Sequence, residues 1–171
     1  PFFFFLTVPT LNQIFMIKKT DIEHIITEYL QKNGLFIVDI IVSKENDIEI
    51  TIESEQGSVT IENCEEIDSI VQSKFNRDEE DYSLIVGSAG LDQPFKVPGQ
   101  YLKFIGQEVE IVQKAGKKIR GKLSGYSDNK IEITTESLER VEGKKRKERT
   151  ERKEEFTIDS IKYCKPVIKF K

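Results

Sequence analysis

A chain of 171 residues with 30 acidic and 26 basic side chains (formal charge −4) suits one or two small domains and is too short for a large catalytic architecture. A composition 37% hydrophobic and 33% charged excludes a disordered or membrane-embedded class. Cys64 and Cys164, the only cysteines, give no disulfide framework and fit a reducing compartment. The average charge hides an asymmetry: residues 16–92 hold 18 acidic against 6 basic side chains, and residues 93–171 hold 12 against 20. Surface potential is local over a Debye length of about 10 Å, so an acidic total leaves polyanion binding open to the basic half.

The opening run Pro1-Phe2-Phe3-Phe4-Phe5-Leu6 is far shorter than the roughly 20 residues of a membrane helix, and no basic residue precedes it as in a signal peptide. The only methionine, Met16, precedes a good helix start, so residues 1–15 are expected to be a non-native or disordered extension. Thr20 and Glu23 have the capping-box spacing, and Ile22, Ile25, Ile26, Tyr29 and Leu30 form one apolar helical stripe ended by Asn33-Gly34. Phe36 to Val42 predicts a strand buried on both faces or nearly so, and Ile48, Ile50 and Ile52 predict a half-buried antiparallel partner. Asn63 with Glu66 predicts the cap of a second helix, and Tyr82 to Val86 a third strand. The expected first domain, residues 16–91, is therefore an acidic αββαβ two-layer unit of the α+β class.

Pro94, Pro98 and Gly99 mark residues 92–100 as a linker. Five short strands follow, over 108–113, 117–126, 129–135, 156–158 and 161–164, which predicts a basic SH3-like or Sm-like barrel over 101–171. Residues 139–155, rich in Lys, Arg and Glu with almost no apolar stripe, are expected to be a solvated, mobile insertion, partly helical at most.

Catalytic chemistry finds no constellation. The single histidine, His24, falls on the polar side of its helix, and the cysteines have neither a CxxC neighbour nor a histidine cluster for zinc. Gly116-Lys117-Lys118-Ile119-Arg120-Gly121-Lys122 resembles a P-loop, but Leu123 replaces the magnesium-holding hydroxyl and the alternation is that of a strand. Neither a cofactor nor a metal nor an enzymatic activity is expected. Strand alternation instead places Lys118, Arg120 and Lys122 in a row on one outer face. Lys114 and Lys117 fall at the adjacent turn, and Lys130 is expected across from the row. Together these predict a patch for RNA phosphates. No aromatic residue interleaves with the row, so base stacking is not expected. A peptide-binding adaptor without an RNA role is the competing reading, weakened by the scarcity of aromatic residues in this half.

The segment Asp81-Tyr82-Ser83-Leu84-Ile85-Val86-Gly87-Ser88-Ala89-Gly90-Leu91-Asp92-Gln93-Pro94-Phe95 resembles the signature of the ribosome maturation factor RimP family. The resemblance extends to Gly57–Glu66, Phe104–Val109 and Gly121–Leu123, and covers roughly residues 17–168. It implies an N-terminal α/β domain, a C-terminal barrel and a non-enzymatic, cytoplasmic factor. Such a factor binds immature small ribosomal subunits through RNA and a basic ribosomal protein, with no membrane or small-molecule partner. A monomer is expected. Gly90, Leu91, Asp92 and Pro94 match the family turn and are expected to shape the connection between domains. Ala89 and Gln93 replace the family's proline and arginine, so the arginine's role does not carry over.

Overall fold

The computed structural model describes residues 17–77, 81–140 and 147–168, so the expected extension at 1–15 lies outside the described residues. It is a mixed α+β protein whose described residues form three α-helices and two sheets. Helix α1 (Lys19–Lys32), strands β1 (Leu35–Val42) and β2 (Asp47–Ser54), helix α2 (Ile61–Lys74) and strand β3 (Ser83–Ser88) make the first part. The stripe of α1 buries Ile22, Ile26 and Leu30 against the fully buried Ile48, Ile50 and Ile52 of β2 and Ile67 and Val71 of α2. Gly34, at φ +60°, turns the chain from α1 into β1, a conformation that favours glycine.

Two caps differ from expectation. Lys18 is the N-cap of α1 and makes no side-chain cap bond, so Thr20 lies inside the first turn and its box with Glu23 does not form. In α2 the pair is Thr60 with Asn63, one turn earlier than Asn63 with Glu66: the Thr60 N–H donates to Asn63 Oδ1 at 3.0 Å, and the Asn63 N–H to Thr60 Oγ1 at 3.3 Å.

The first sheet has the order β1-β2-β3, antiparallel then parallel, with α2 as the crossover. Because β1 is an edge strand covered by helices on one face only, its expected two-sided burial fails, and Ile41 is 50% exposed. A bulge between Ile37 and Asp39 breaks its alternation.

Helix α3 (Pro98–Lys103) occupies residues expected to be linker and barrel start. Strands β4 (Glu108–Gln113), β5 (Lys118–Ser127), β6 (Lys130–Arg140), β7 (Lys147–Thr157) and β8 (Ile161–Pro166) then form a second sheet in the order β7-β6-β5-β4-β8. Val109, Ile111, Leu123, Ile131, Ile133 and Cys164 are its fully buried residues. The expected barrel is not closed: β7 and β8 end the order and do not pair with each other among the described residues. Alternation marks a strand's inner face but not whether the sheet's ends meet, which is why the sequence pattern overreached.

The expected mobile insertion is also corrected. Residues 139–140 and 147–155 belong to β6 and β7, paired rung by rung from Lys130 opposite Thr157 to Arg140 opposite Lys147; residues 141–146 lie outside the described residues. Like charges stand opposite one another at Glu132–Glu155 and Glu136–Glu151, and the diagonal ion pairs Lys130–Glu155 and Lys153–Glu132 between the two strands offset them. Asp128 and Asn129, both at positive φ, make the two-residue turn between β5 and β6.

Candidate nucleic-acid interface

The hairpin of β4 and β5 sets the geometry of the expected cation row. Ile119 and Leu123 point into the core, so Lys118, Arg120 and Lys122 share the outer face, and all three are exposed. The same register sets Glu110 opposite Arg120 and Glu108 opposite Lys122. Glu110 carries the chemistry of this face. One of its oxygens, Oε2, accepts from Lys118 Nζ at 2.9 Å and from Arg120 Nε and Nη2 at 2.8 Å each. The Tyr163 hydroxyl reaches the other oxygen at 3.4 Å. These neighbours cover Glu110, leaving the residue 4% exposed on an outer face.

The row is therefore not a free strip of positive charge. On β6 the outward positions include Glu132 and Glu136, and on β7 they include Glu151, Lys153 and Glu155. Lys153 bonds Glu132 at 3.0 Å. Lys130 does not lie across from the row. It pairs with Ser127 at the other end of β5, roughly 25–30 Å from Lys118 at about 3.3 Å per residue. It bonds Glu155 at 2.9 Å, and this contact holds its ammonium above the ordinary lysine value.

Of the six expected cations, those left exposed and without an acidic partner among the described residues are Lys114 and Lys117 on the β4–β5 turn, and Lys122. Gly116, at φ +87°, closes that turn with its N–H on the Gln113 carbonyl at 2.8 Å. The two turn lysines, with Lys118 beside them sharing one carboxylate with Arg120, form a positive corner rather than a row.

Glu110's carboxyl is held below its ordinary 4.5, first by the Lys118 hydrogen bond and then, against the opposing cost of desolvation, by Arg120. The folded value lies below the unfolded one, so this stabilisation is complete above the ordinary value and is lost as pH falls through the lowered one. Urea titrations across pH 3–6 are expected to show a smaller loss of stability on acidification in Glu110→Gln than in the parent protein, and equal losses would contradict this role. The gain is modest because both cations are more than half exposed to water.

The connecting turn carries Gly90, Leu91, Asp92 and Pro94 on the surface. Gly90 does not adopt a positive φ; a Cβ there would lie 3.0 Å from Gln93 Cγ and 3.4 Å from Asp92 Oδ1. The Gln93 N–H donates to the Gly90 carbonyl at 3.1 Å, and Gln93 Nε2 to Asp92 Oδ1 at 3.3 Å. Leu91 is 70% exposed, and Pro94 is also exposed. Leu91 lines a groove of about 1120 Å³ with Ile105, Lys122 and Ile168.

Two lysines that join the α3 segment to the first sheet escaped the sequence reading. Lys103 Nζ donates to Glu53 Oε1 at 2.6 Å and to the Gly57 carbonyl at 2.8 Å, and Lys96 Nζ to Asp39 Oδ2 at 2.6 Å. The lysine bond is the main cause holding Asp39 below its ordinary range. These contacts fasten the α3 segment to the first sheet. No periodicity in so short a helix could have signalled them.

His24 is exposed. Burial pushes the Cys164 thiol up to about 12 and, with Glu65 nearby, raises that of Cys64, so neither has the character of an activated nucleophile. Among the described residues no group of three or more His, Cys, Asp or Glu is placed to hold a metal, and no helix is long and apolar enough to cross a membrane.

Comparison with known proteins gives the lineage. Residues 25–92 match the profile of the RimP N-terminal domain. The chain is 33% identical over 132 residues to the ribosome maturation factor RimP of Porphyromonas gingivalis, in two strains, covering 77% of this chain and 86% of the relative. It is 29% identical over 109 residues to the protein of the same name from Christiangramia forsetii, covering 64% and 70%. The match runs from the helical first part into the second sheet, and on it the chain belongs to the ribosome maturation factor RimP family.

Proposed function

We propose that this protein is a cytoplasmic, non-enzymatic maturation factor for the small (30S) ribosomal subunit that binds the immature subunit as a monomer. The observation that carries the reading is the likeness, over 86% of its length, to a relative named ribosome maturation factor. Residues 16–91 and 101–171 act as two domains of opposite charge. The acidic one faces a basic ribosomal protein, and the basic one docks on ribosomal RNA. Complementary potentials of this kind speed encounter and fix orientation.

The RNA contact is centred on the turn carrying Lys114 and Lys117, with Lys118 and Lys122 beside it. Lys118 and Arg120 contribute less than the turn lysines because both are bonded to Glu110, and Lys130 less again because Glu155 holds it away from the turn. The contact is to phosphates, not bases.

Co-sedimentation with purified immature small subunits over a salt series tests this. Affinity is expected to fall linearly on a log–log plot, and Lys114→Glu with Lys117→Glu to weaken binding about tenfold and lower the salt slope by roughly 2, near 1 per phosphate contact. Binding insensitive to salt, or absent, contradicts phosphate docking. Replacing Arg120 by Glu is expected to do less than replacing either turn lysine.

The groove beside Leu91, Ile105 and Ile168, all exposed, favours one other reading, a protein–protein adaptor with no RNA role. Pull-downs after nuclease treatment separate the two, since an adaptor keeps its partners and an RNA-docked factor loses the subunit.

A further inference from the structure

The first sheet has one face packed on α1 and α2 and one face open. On the open face the register sets Ile41, Glu49 and Ile85 in a row across the three strands, with Asp47 opposite Ser83 one rung along. Ile41, on the edge strand β1, is 50% exposed, and Ile85, on the opposite edge strand β3, is 65% exposed. Two apolar side chains flank a carboxylate, and nothing else in the described chain covers them.

The other half of the same face is covered, and what covers it reveals what this face accepts. The segment from Lys96 through the end of α3 lays Lys96 on Asp39 and Lys103 on Glu53, while Gly99 packs so closely on the Phe36 ring that a Cβ there would lie 2.9–3.0 Å from it. A stretch of the protein's own chain, carrying lysines around an apolar contact, thus occupies the half marked by Phe36, Asp39 and Glu53. The uncovered half repeats that chemistry, with Ile41 and Ile85 for the ring, and Glu49 and Asp47 for the carboxylates.

We infer that the open half of this face, built on Ile41, Glu49 and Ile85, docks an extended protein segment that carries lysine or arginine between apolar anchors. The charge of this half disfavours a phosphate polymer: among the described residues Asp47 and Glu49 stand on the face, Glu45 and Asp81 flank their strands, and the cations Lys19 and Lys96 are already held by Asp39. The inference deepens the maturation-factor reading by assigning its protein contact a surface, and rests on that reading only for the partner's source.

The test uses the full chain and three fluorescent decapeptides, alternating Lys/Val, Lys/Ser and Glu/Val. The Lys/Val peptide is expected to bind, the Lys/Ser peptide about tenfold more weakly and the Glu/Val peptide not at all. Ile41→Ser with Ile85→Ser, and separately Glu49→Lys, are expected to weaken Lys/Val binding about tenfold. Ile61→Ser, an exposed isoleucine on α2, is expected to leave it unchanged. Equal binding of the Lys/Val and Lys/Ser peptides, or an unchanged double variant, overturns the proposal. So does competition by polyuridylate for the same face, or a parent dimer that the double variant converts to monomer, which would make a second copy the occupant. The same variants sedimented with immature subunits keep the two claims apart. Failure of the parent protein to bind subunits removes the maturation reading, whereas the peptide result decides the surface.

Discussion

Gly121→Ala is expected to cost about 3 kcal/mol of stability, near the top of the range for overpacking. Gly121 lies in β5 facing the core, and a Cβ there would stand 2.6 Å from Ile133 Cγ2, 2.7 Å from the Thr134 carbonyl oxygen and 3.1 Å from Thr135 Cγ2. Ile133 is fully buried and cannot swing aside, and the carbonyl belongs to the neighbouring strand. Relief requires separating β5 from β6 in the middle of the sheet. Urea unfolding followed by circular dichroism measures the loss as a drop in midpoint at constant slope. Gly125→Ala in the same strand is the control: its nearest contact is 3.8 Å, so it is expected to change little. Equal effects at both positions would contradict the packing described for β5.

Lys103→Met is expected to cost about 2–3 kcal/mol, the range for breaking a charged hydrogen bond that water reaches poorly. Lys103 and Glu53 are only 15% and 12% exposed, and their 2.6 Å bond joins α3 to the first sheet. Removing the ammonium leaves the Glu53 carboxylate with the Ser54 N–H as its remaining hydrogen-bond donor, at 3.0 Å. The double variant Lys103→Met with Glu53→Gln is expected to recover more than half of the loss, because no bare charge is then left behind. By contrast Lys96→Met, whose partner Asp39 sits at a wetter edge, is expected to cost less than 1 kcal/mol. If the two lysines proved equivalent, burial would not be what sets their worth.

The elements of the first part were legible because their periods are clean. Ile22, Ile26 and Leu30 repeat at helical spacing, Ile48, Ile50 and Ile52 at strand spacing, and each set is buried. Helix starts were read less well: Thr20–Glu23 has the right letters, but the helix begins before them, and Asn63 is the far member of its box rather than the cap. The row of Lys118, Arg120 and Lys122 was legible as a face and misread as a potential. The missing step was available in the sequence, since a turn centred on Ala115 sets residue numbers across the hairpin to sum to 230. That rule puts Glu110 against Arg120 and Glu108 against Lys122, as observed. Of the ribbon of β6 and β7 only the base was legible, through Ile131, Ile133 and Phe156; beyond Thr135 its rungs include like charges and lack an apolar stripe, so neither signal for a strand was present there. Nor could sequence alone show that Lys96 and Lys103 reach back some fifty residues to Asp39 and Glu53.

An image reconstruction of the full chain bound to immature small subunits tests the central claim most directly. The account predicts the β4–β5 turn, with Lys114 and Lys117 foremost, against phosphates of ribosomal RNA, and the first sheet turned toward protein. A reconstruction with that turn in open solvent, or with the acidic sheet laid on RNA, would contradict it.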